Sequence, residues 1–187
     1  LYKQDNRISK MVREGLYEVY MPSIAEGEVA NLIVKSEKGT LGRKISVDLS
    51  SIARGKLGDL IGKITEIKDD KVIAEPLGIR LYASYLQRFV RRGSTKIDDS
   101  FVCESVDKRK LRVKPVMITR KIVKRSVHSA LVKETRDFLE KSFAEEKMID
   151  IFLETLRGEM QRKLSKKLKK VYPLSFCEIR ELLVVEK

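Results

Sequence analysis

Along the first hundred residues the apolar positions fall in short, partly alternating runs. Leu16–Met21, Arg43–Ile52, Ile61–Ile67 and Lys71–Leu77 are rich in Val, Ile, Leu and Tyr. A period of two sets one row of side chains on each face of an extended chain, so each run is expected to be a strand. Gly39, Gly42, Gly55, Gly58 and Asp69-Asp70 punctuate these runs, and Asp69-Asp70 has the composition of a tight hairpin. Residues 1–15 are polar and mixed in charge without a period, and read as an extended arm.

The period then changes. Leu81, Tyr82, Tyr85, Leu86, Phe89 and Val90 form the stripe of a short helix over 80–92. Arg91-Arg92-Gly93 would end it, with cations on the last turn and a glycine suited to a left-handed cap. Two more strands are expected at Ser100–Val106 and Leu111–Thr119, joined by the charged turn Asp107-Lys108-Arg109-Lys110. Beyond about residue 125, Val127, Leu131, Phe138 and Leu139 mark one helix. Ile149, Phe152, Leu153, Leu156, Met160, Leu164 and Leu168 mark a second. The short break at Phe143–Lys147 suggests an antiparallel helical pair. Tyr172-Pro173 stops the second helix, and Phe176–Val185 is β-prone enough to return to the sheet. Residues 16–187 thus read as one α+β domain: 16–125 mainly β with the helix at 80–92, 126–171 helical, and 175–185 a final strand.

Size and charge narrow what such a domain does. The 187 residues are 42% hydrophobic, enough for a core that needs no staples. Forty Lys and Arg oppose 27 Asp and Glu, a formal net charge of +13. Cationic side chains release counterions condensed on phosphates, so a polyanion is the default partner, against a merely solvated basic surface. Cys103 and Cys177 lie too far apart in sequence for a disulfide framework or zinc spacing, which fits a reducing compartment. No apolar run approaches the roughly 20 residues of a membrane span. No secretory signal is visible, and a cytoplasmic, membrane-free protein is expected.

Catalytic chemistry finds little purchase. His128 is the one histidine and sits beside Val127 and Leu131, where a structural role is the simpler reading. No nucleophile motif, metal spacing or cofactor signature appears, so no enzyme activity, metal or cofactor is expected. The stretch Gly55-Lys56-Leu57-Gly58-Asp59-Leu60-Ile61-Gly62-Lys63-Ile64 fails as a P-loop. Only three residues separate Gly58 from Gly62-Lys63, and Ile64 replaces the Ser or Thr that would ligand magnesium. Gly55–Gly58 also fits the GxxG loop of a KH module, a free regulatory RNA-binding alternative that requires a helix over 59–64. A turn between strands explains the string more simply.

The cations cluster. Fourteen Lys and Arg lie between Arg80 and Arg125, against Asp98, Asp99, Glu104 and Asp107. Arg88 and Arg91–Arg92 are expected on one side of a helix end, and Arg112 and Lys114 on one face of a strand. A second run, Arg162, Lys163, Lys166, Lys167, Lys169 and Lys170, covers the polar side of the long helix, as a field or as a solvated face. Arginine offers phosphate a planar fork, lysine a point charge. Aromatics make up 6% with no tryptophan, so recognition should rest on phosphates and shape. The expected RNA contacts are Arg88, Arg91, Arg92, Lys96, Arg109, Lys110, Arg112, Lys114, Lys121, Lys169 and Lys170.

Leu81-Tyr82-Ala83-Ser84-Tyr85-Leu86-Gln87-Arg88-Phe89-Val90-Arg91-Arg92-Gly93-Ser94-Thr95-Lys96-Ile97-Asp98-Asp99 resembles the central signature of the three-A-e family of archaeal and eukaryotic small-subunit ribosomal proteins. Leu111–Val116 looks like the strand that follows it. Lys169-Lys170-Val171-Tyr172-Pro173-Leu174 with Glu178-Ile179-Arg180 looks like the C-terminal signature. Weaker echoes are Leu16-Tyr17-Glu18-Val19 with Pro22 and Gly42-Arg43, so the match runs in order over about Leu16 to Val185, and three blocks in register are more specific than any one of them. The chain departs from the family at Leu16, where tryptophan is usual, and at Gly78-Ile79-Arg80, where Gly-His-Glu is usual. The resemblance implies a barrel-like sheet enclosing a short helix, with helices alongside and a returning strand. It also implies a structural place on the small-subunit platform near the messenger exit side. Small-subunit rRNA, neighbouring platform proteins and messenger RNA would be the partners there.

Overall fold

The computed structural model describes residues 16–24, 28–33, 40–53, 55–68 and 71–185. The expected arm over 1–15 and the Asp69-Asp70 turn lie outside them. The strands are β1 (Leu16–Tyr20), β2 (Glu28–Ile33), β3 (Lys44–Asp48), β4 (Gly58–Lys68), β5 (Lys71–Leu81), β6 (Lys96–Asp98), β7 (Phe101–Glu104), β8 (Lys110–Thr119) and β9 (Leu174–Val184). The helices are α1 (Ala83–Gln87), α2 (Arg125–Glu145), α3 (Met148–Arg157) and α4 (Glu159–Leu168). The α+β class is as expected. Backbone pairing joins the nine strands in one mixed sheet, six of them in the order β2-β1-β5-β9-β8-β6, with β4 on β5, β3 on β4 and β7 on β8 off that path, and among the described residues it is not closed into a barrel.

The chain divides into two compact units, Leu1–Val47 with Ile61–Leu77, and Asp48–Leu60 with Gly78–Lys187. In the first, β1 pairs antiparallel with β2 and parallel with β5, Val19 standing beside Val72. Val19, Met21, Ile64, Val72 and Ala74 are buried there. In the second, β8 is central, antiparallel to β6, β7 and β9, and β9 also pairs with Gly78–Arg80 of β5. The close approach of β5 to β9 requires Gly78, because a Cβ there would run into Leu182 O and Leu183.

Packing decides where the helices differ from their sequence pattern. Ile79 and Leu81 are buried, so β5 runs on to Leu81 and the helix expected over 80–92 shrinks to Ala83–Gln87. Leu131, Thr135, Leu139 and Phe143 recur every four residues and give α2 its buried stripe. The expected second helix is two, because Gly158 takes φ 76° and ψ 14° between Arg157 and Glu159. That left-handed residue ends α3, its N–H bonded to Thr155 O at 3.2 Å, and turns the chain into α4. α4 lies on β9 and contacts α2 and α3. Phe143 and Phe152 are fully buried in this unit, and truncating either to alanine would cost roughly 3–5 kcal/mol.

Candidate nucleic-acid interface

The basic segment between Arg80 and Arg125 divides between the two ends of β8. Strand β8 has ten residues and spans about 30 Å. At its start lie Lys108, Arg109, Lys110 and Arg112, all exposed. At its finish the chain passes through Thr119 to exposed Arg120, Lys121 and Lys124. Arg91, Arg92 and Lys96 belong to that second end, because β6 begins there, Lys96 pairing with Ile118.

A threonine pair holds the second end together. Thr119 N–H donates to Thr95 O at 3.0 Å, and Thr95 N–H donates to Thr119 Oγ1 at 3.0 Å. The Thr119 hydroxyl donates to Lys121 O at 2.7 Å, and Thr95 Oγ1 accepts from Val123 N–H at 3.2 Å. Just before them, Gly93 at φ 81° turns the chain, and Ser94 Oγ donates to Arg91 O at 2.6 Å. Two arginine- and lysine-bearing loops are thus pinned to one strand end, which lowers the ordering cost of meeting a phosphate backbone. β9 starts here too: Thr119 pairs with Leu174, so exposed Lys169 and Lys170 precede the same end by a few residues.

The first end is fixed differently. Lys147 precedes α3 and offers no side-chain cap; Asp107 Oδ2, from the β7–β8 turn, accepts from Met148 N–H at 3.0 Å instead. Lys108 takes φ 57° to complete that turn.

The eleven expected contact residues are not equivalent. Arg91, Arg92, Lys110, Arg112, Lys121, Lys169 and Lys170 form no ion pair among the described residues. Lys96 pairs with Asp98 at 2.8 Å, a half-exposed bridge that holds it weakly. Lys114 does share the face of Arg112, but its amine bonds Glu181, which Arg80 also reaches at 3.0 Å. Burial raises the Glu181 pKa, and the bonds from Lys114 and Arg80 outweigh it and hold the carboxyl below its ordinary value. Arg88 caps α1 with its guanidinium 5.2 Å from the Tyr85 ring centre, and the chain leaves the helix there. Arg88 and Arg91–Arg92 are therefore not successive positions of one helix. Arg109 approaches Met148 Sδ at 3.7 Å.

The second basic run also separates by face. Lys163 Nζ lies 2.8 Å from Glu154 Oε1, and Lys167 Nζ 3.5 Å from Glu134 Oε2. Arg162, Lys166 and Lys169, one residue around the helix, have no ion pair among the described residues. Together with Arg157 they line a cleft of about 510 Å³ floored by Cys177 and Glu178 of β9 and bounded by Gly55 and Lys56. Buried Glu178 accepts from Lys56 Nζ at 2.9 Å and Gln161 Nε2 at 2.7 Å. Burial pushes the Cys177 thiol up to about 12. The i, i+4, i+7 spacing of Arg162, Lys166 and Lys169 was the one sign of this cleft in the sequence, and the lysines interleaved with them masked it.

Other candidates resolve simply. His128 is half-buried on α2, lining a shallow cavity with Ser129, Val132, Lys133 and Arg136. The helix that a KH module needs over 59–64 is strand β4, so that alternative falls. Among the described residues no three His, Cys, Asp or Glu side chains gather as metal ligands. None of the described helices is long and apolar enough to cross a membrane.

Known sequences place these features in a lineage. The model of the ribosomal S3Ae family matches residues 3–187. A protein of Nanoarchaeum equitans named small ribosomal subunit protein eS1 is 31% identical over 144 residues, covering 75% of this chain and 73% of its own. Proteins of the same name from Haloquadratum walsbyi and Methanoculleus marisnigri are 27% and 26% identical, covering 75% and 87% of this chain and 68% and 85% of theirs. The match runs through the Arg91-Arg92 loop, the β8 ends and the α4 cations alike, and the chain belongs to the ribosomal S3Ae family.

Proposed function

We propose that this chain is a structural constituent of the small ribosomal subunit, working in the cytoplasm as part of the ribosome. It binds rRNA through the basic groups at the two ends of β8. The observation that carries this reading is the exposed set Arg91, Arg92, Lys110, Arg112 and Lys121, without an ion pair among the described residues, at the two ends of one strand in a member of a ribosomal protein family. A span of about 30 Å between the two ends suits contact with separate stretches of a folded RNA backbone. Such contacts need no aromatic stacking platform. The platform of the subunit, near the messenger exit side, is the address we assign. Neighbouring platform proteins and messenger RNA are then its further contacts, and the exposed hydrophobics Val102, Val106 and Ile122 are available to protein neighbours.

Sucrose-gradient sedimentation tests the reading. The chain should migrate with small subunits at high salt; free protein at the top of the gradient overturns it. Arg91→Ala/Arg92→Ala should weaken binding to small-subunit rRNA and lower the slope of log affinity against log salt by roughly 0.7–0.9 per lost contact. An unchanged slope removes those arginines from the interface.

A further inference from the structure

The α4 cleft carries more than the phosphate contacts proposed above. Its lining holds five cations, Lys56, Arg157, Arg162, Lys166 and Lys169, and one acid, Glu178. Glu178 is already matched by Lys56 within hydrogen-bond distance, so four positive side chains face the cleft without an ion pair among the described residues. One residue around the same helix, Lys163 and Lys167 are paired with Glu154 and Glu134. One helix thus has a neutralised lysine row and a bare one, and the bare row lies over the concavity.

Shape adds a second constraint. A volume of about 510 Å³ lies within the roughly 300–1,000 Å³ of small-ligand pockets, and well beyond what a lone phosphate group fills. Tyr85, Leu156 and Cys177 contribute apolar wall inside the cationic rim. The Gln161 amide is fixed in direction, because its nitrogen meets two acceptors, Thr155 O at 3.0 Å and Glu178 Oε1 at 2.7 Å. Gln161 Oε1 is left buried with no donor among the described residues. With no accessible surface, that oxygen belongs to the packing beneath the cleft. Arg162, Lys166 and Lys169 extend about 10 Å along the helix axis, room for more than one phosphate of a strand.

We propose that this cleft holds one unstacked ribonucleotide of a single-stranded RNA segment, its base against the apolar wall and its flanking phosphates on Arg162, Lys166 and Lys169. The proposal rests on the RNA-binding reading and deepens it. Lys169 belongs both to the cleft and to the basic stretch that leads into β9, so a strand leaving the cleft meets Lys170 next. The base would rest against the apolar wall of an open cleft, which suits an RNA loop or end and not a regular duplex.

Equilibrium binding of a hexaribonucleotide to the full chain tests this. Wild type should bind it, and Arg162→Ala/Lys166→Ala should weaken binding about tenfold and lower the salt slope by roughly 1.4, two single-strand contacts. Lys163→Ala/Lys167→Ala removes the same charge from the paired row and should change affinity by less than about twofold. An abasic hexamer with the same phosphates should bind roughly tenfold more weakly than the natural one, and only to wild type should that difference be seen. Equal losses in the two double variants would reduce the cleft to part of a diffuse field and overturn the proposal. Equal binding of abasic and natural hexamers would overturn the base pocket. Adenosine monophosphate binding as tightly as the hexamer would assign the cleft to a free nucleotide and overturn the RNA assignment. None of these results touches co-migration with small subunits, so failure of the cleft and failure of the ribosomal reading are read separately.

Discussion

Lys56 Nζ lies 2.9 Å from Glu178 Oε1 although 122 residues separate them in the chain. Both side chains are largely buried, at 13% and 10% exposure. The amine also donates to Thr155 O at 2.6 Å, so one lysine fastens the loop before β4 to α3 and to β9. Removing one partner of a buried pair strands the other charge, which costs more than the pair contributes. Lys56→Met should therefore lower unfolding stability by on the order of 3 kcal/mol in urea titration. Lys56→Met/Glu178→Leu should recover much of that loss. If both variants lose the same amount, the two charges are not coupled.

Acid should find the molecule at Glu181. The Lys114 and Arg80 bonds hold its carboxyl below the ordinary 4.5, so the folded state favours the ionised form. That contribution is fully present above pH 4.5 and is lost as pH falls toward the depressed folded value. Asp99 behaves alike, held below 3.8 by the Arg136 fork at 2.6 Å. Stability measured by denaturant titration should drop as pH falls below about 4.5, and Glu181→Gln should flatten the upper part of that drop. A variant with the wild-type slope would exclude Glu181 as its source.

Asp107 should matter to a helix it does not belong to. Its carboxylate bonds the first backbone N–H of α3, where Lys147 provides no side-chain cap. Loss of an N-cap bond typically costs about 1 kcal/mol. Asp107→Ala should show that loss, and should also loosen the Lys108–Arg112 hairpin, raising amide exchange at Arg109 and Lys110. Unchanged exchange there would mean the hairpin is rigid without the helix.

The two basic ends of β8 should act independently on RNA. About 30 Å between them is several Debye lengths at physiological salt. The change in salt slope from Arg91→Ala/Arg92→Ala and that from Arg109→Ala/Arg112→Ala should add in the quadruple variant. A combined change clearly smaller than the sum would mean that both ends meet the same phosphates.

Much of this was readable in the order of residues, and the remainder was not for definite reasons. The stripe through Leu156, Met160 and Leu164 continues smoothly across Gly158, so apolar spacing alone sees one helix; only the left-handed φ of that glycine makes two. β2 lacks a clean alternation, and β6, at three residues, is too short to carry a period. Among the contact residues, composition located the cations but not their counter-charges. Lys114 and Arg112 look alike two residues apart on one strand, and Glu181, from β9, takes the first and leaves the second. The Arg162–Lys166–Lys169 row is set apart from Lys163 and Lys167 by Glu154 and Glu134, which belong to other helices. Long-range partners of this kind carry no local spacing signal.

The place of β9 has a consequence for how the molecule comes into being. It lies between β5 and β8, which pair with it along Gly78–Arg80 and Leu111–Thr119. Yet its residues, 174–184, are translated after both. During synthesis the strands on either side wait without their shared neighbour, and the α4 helix waits without the surface it covers. The second unit therefore assembles late, around a strand that arrives last, and until then its apolar faces and open strand edges are exposed to chaperones or to misassociation.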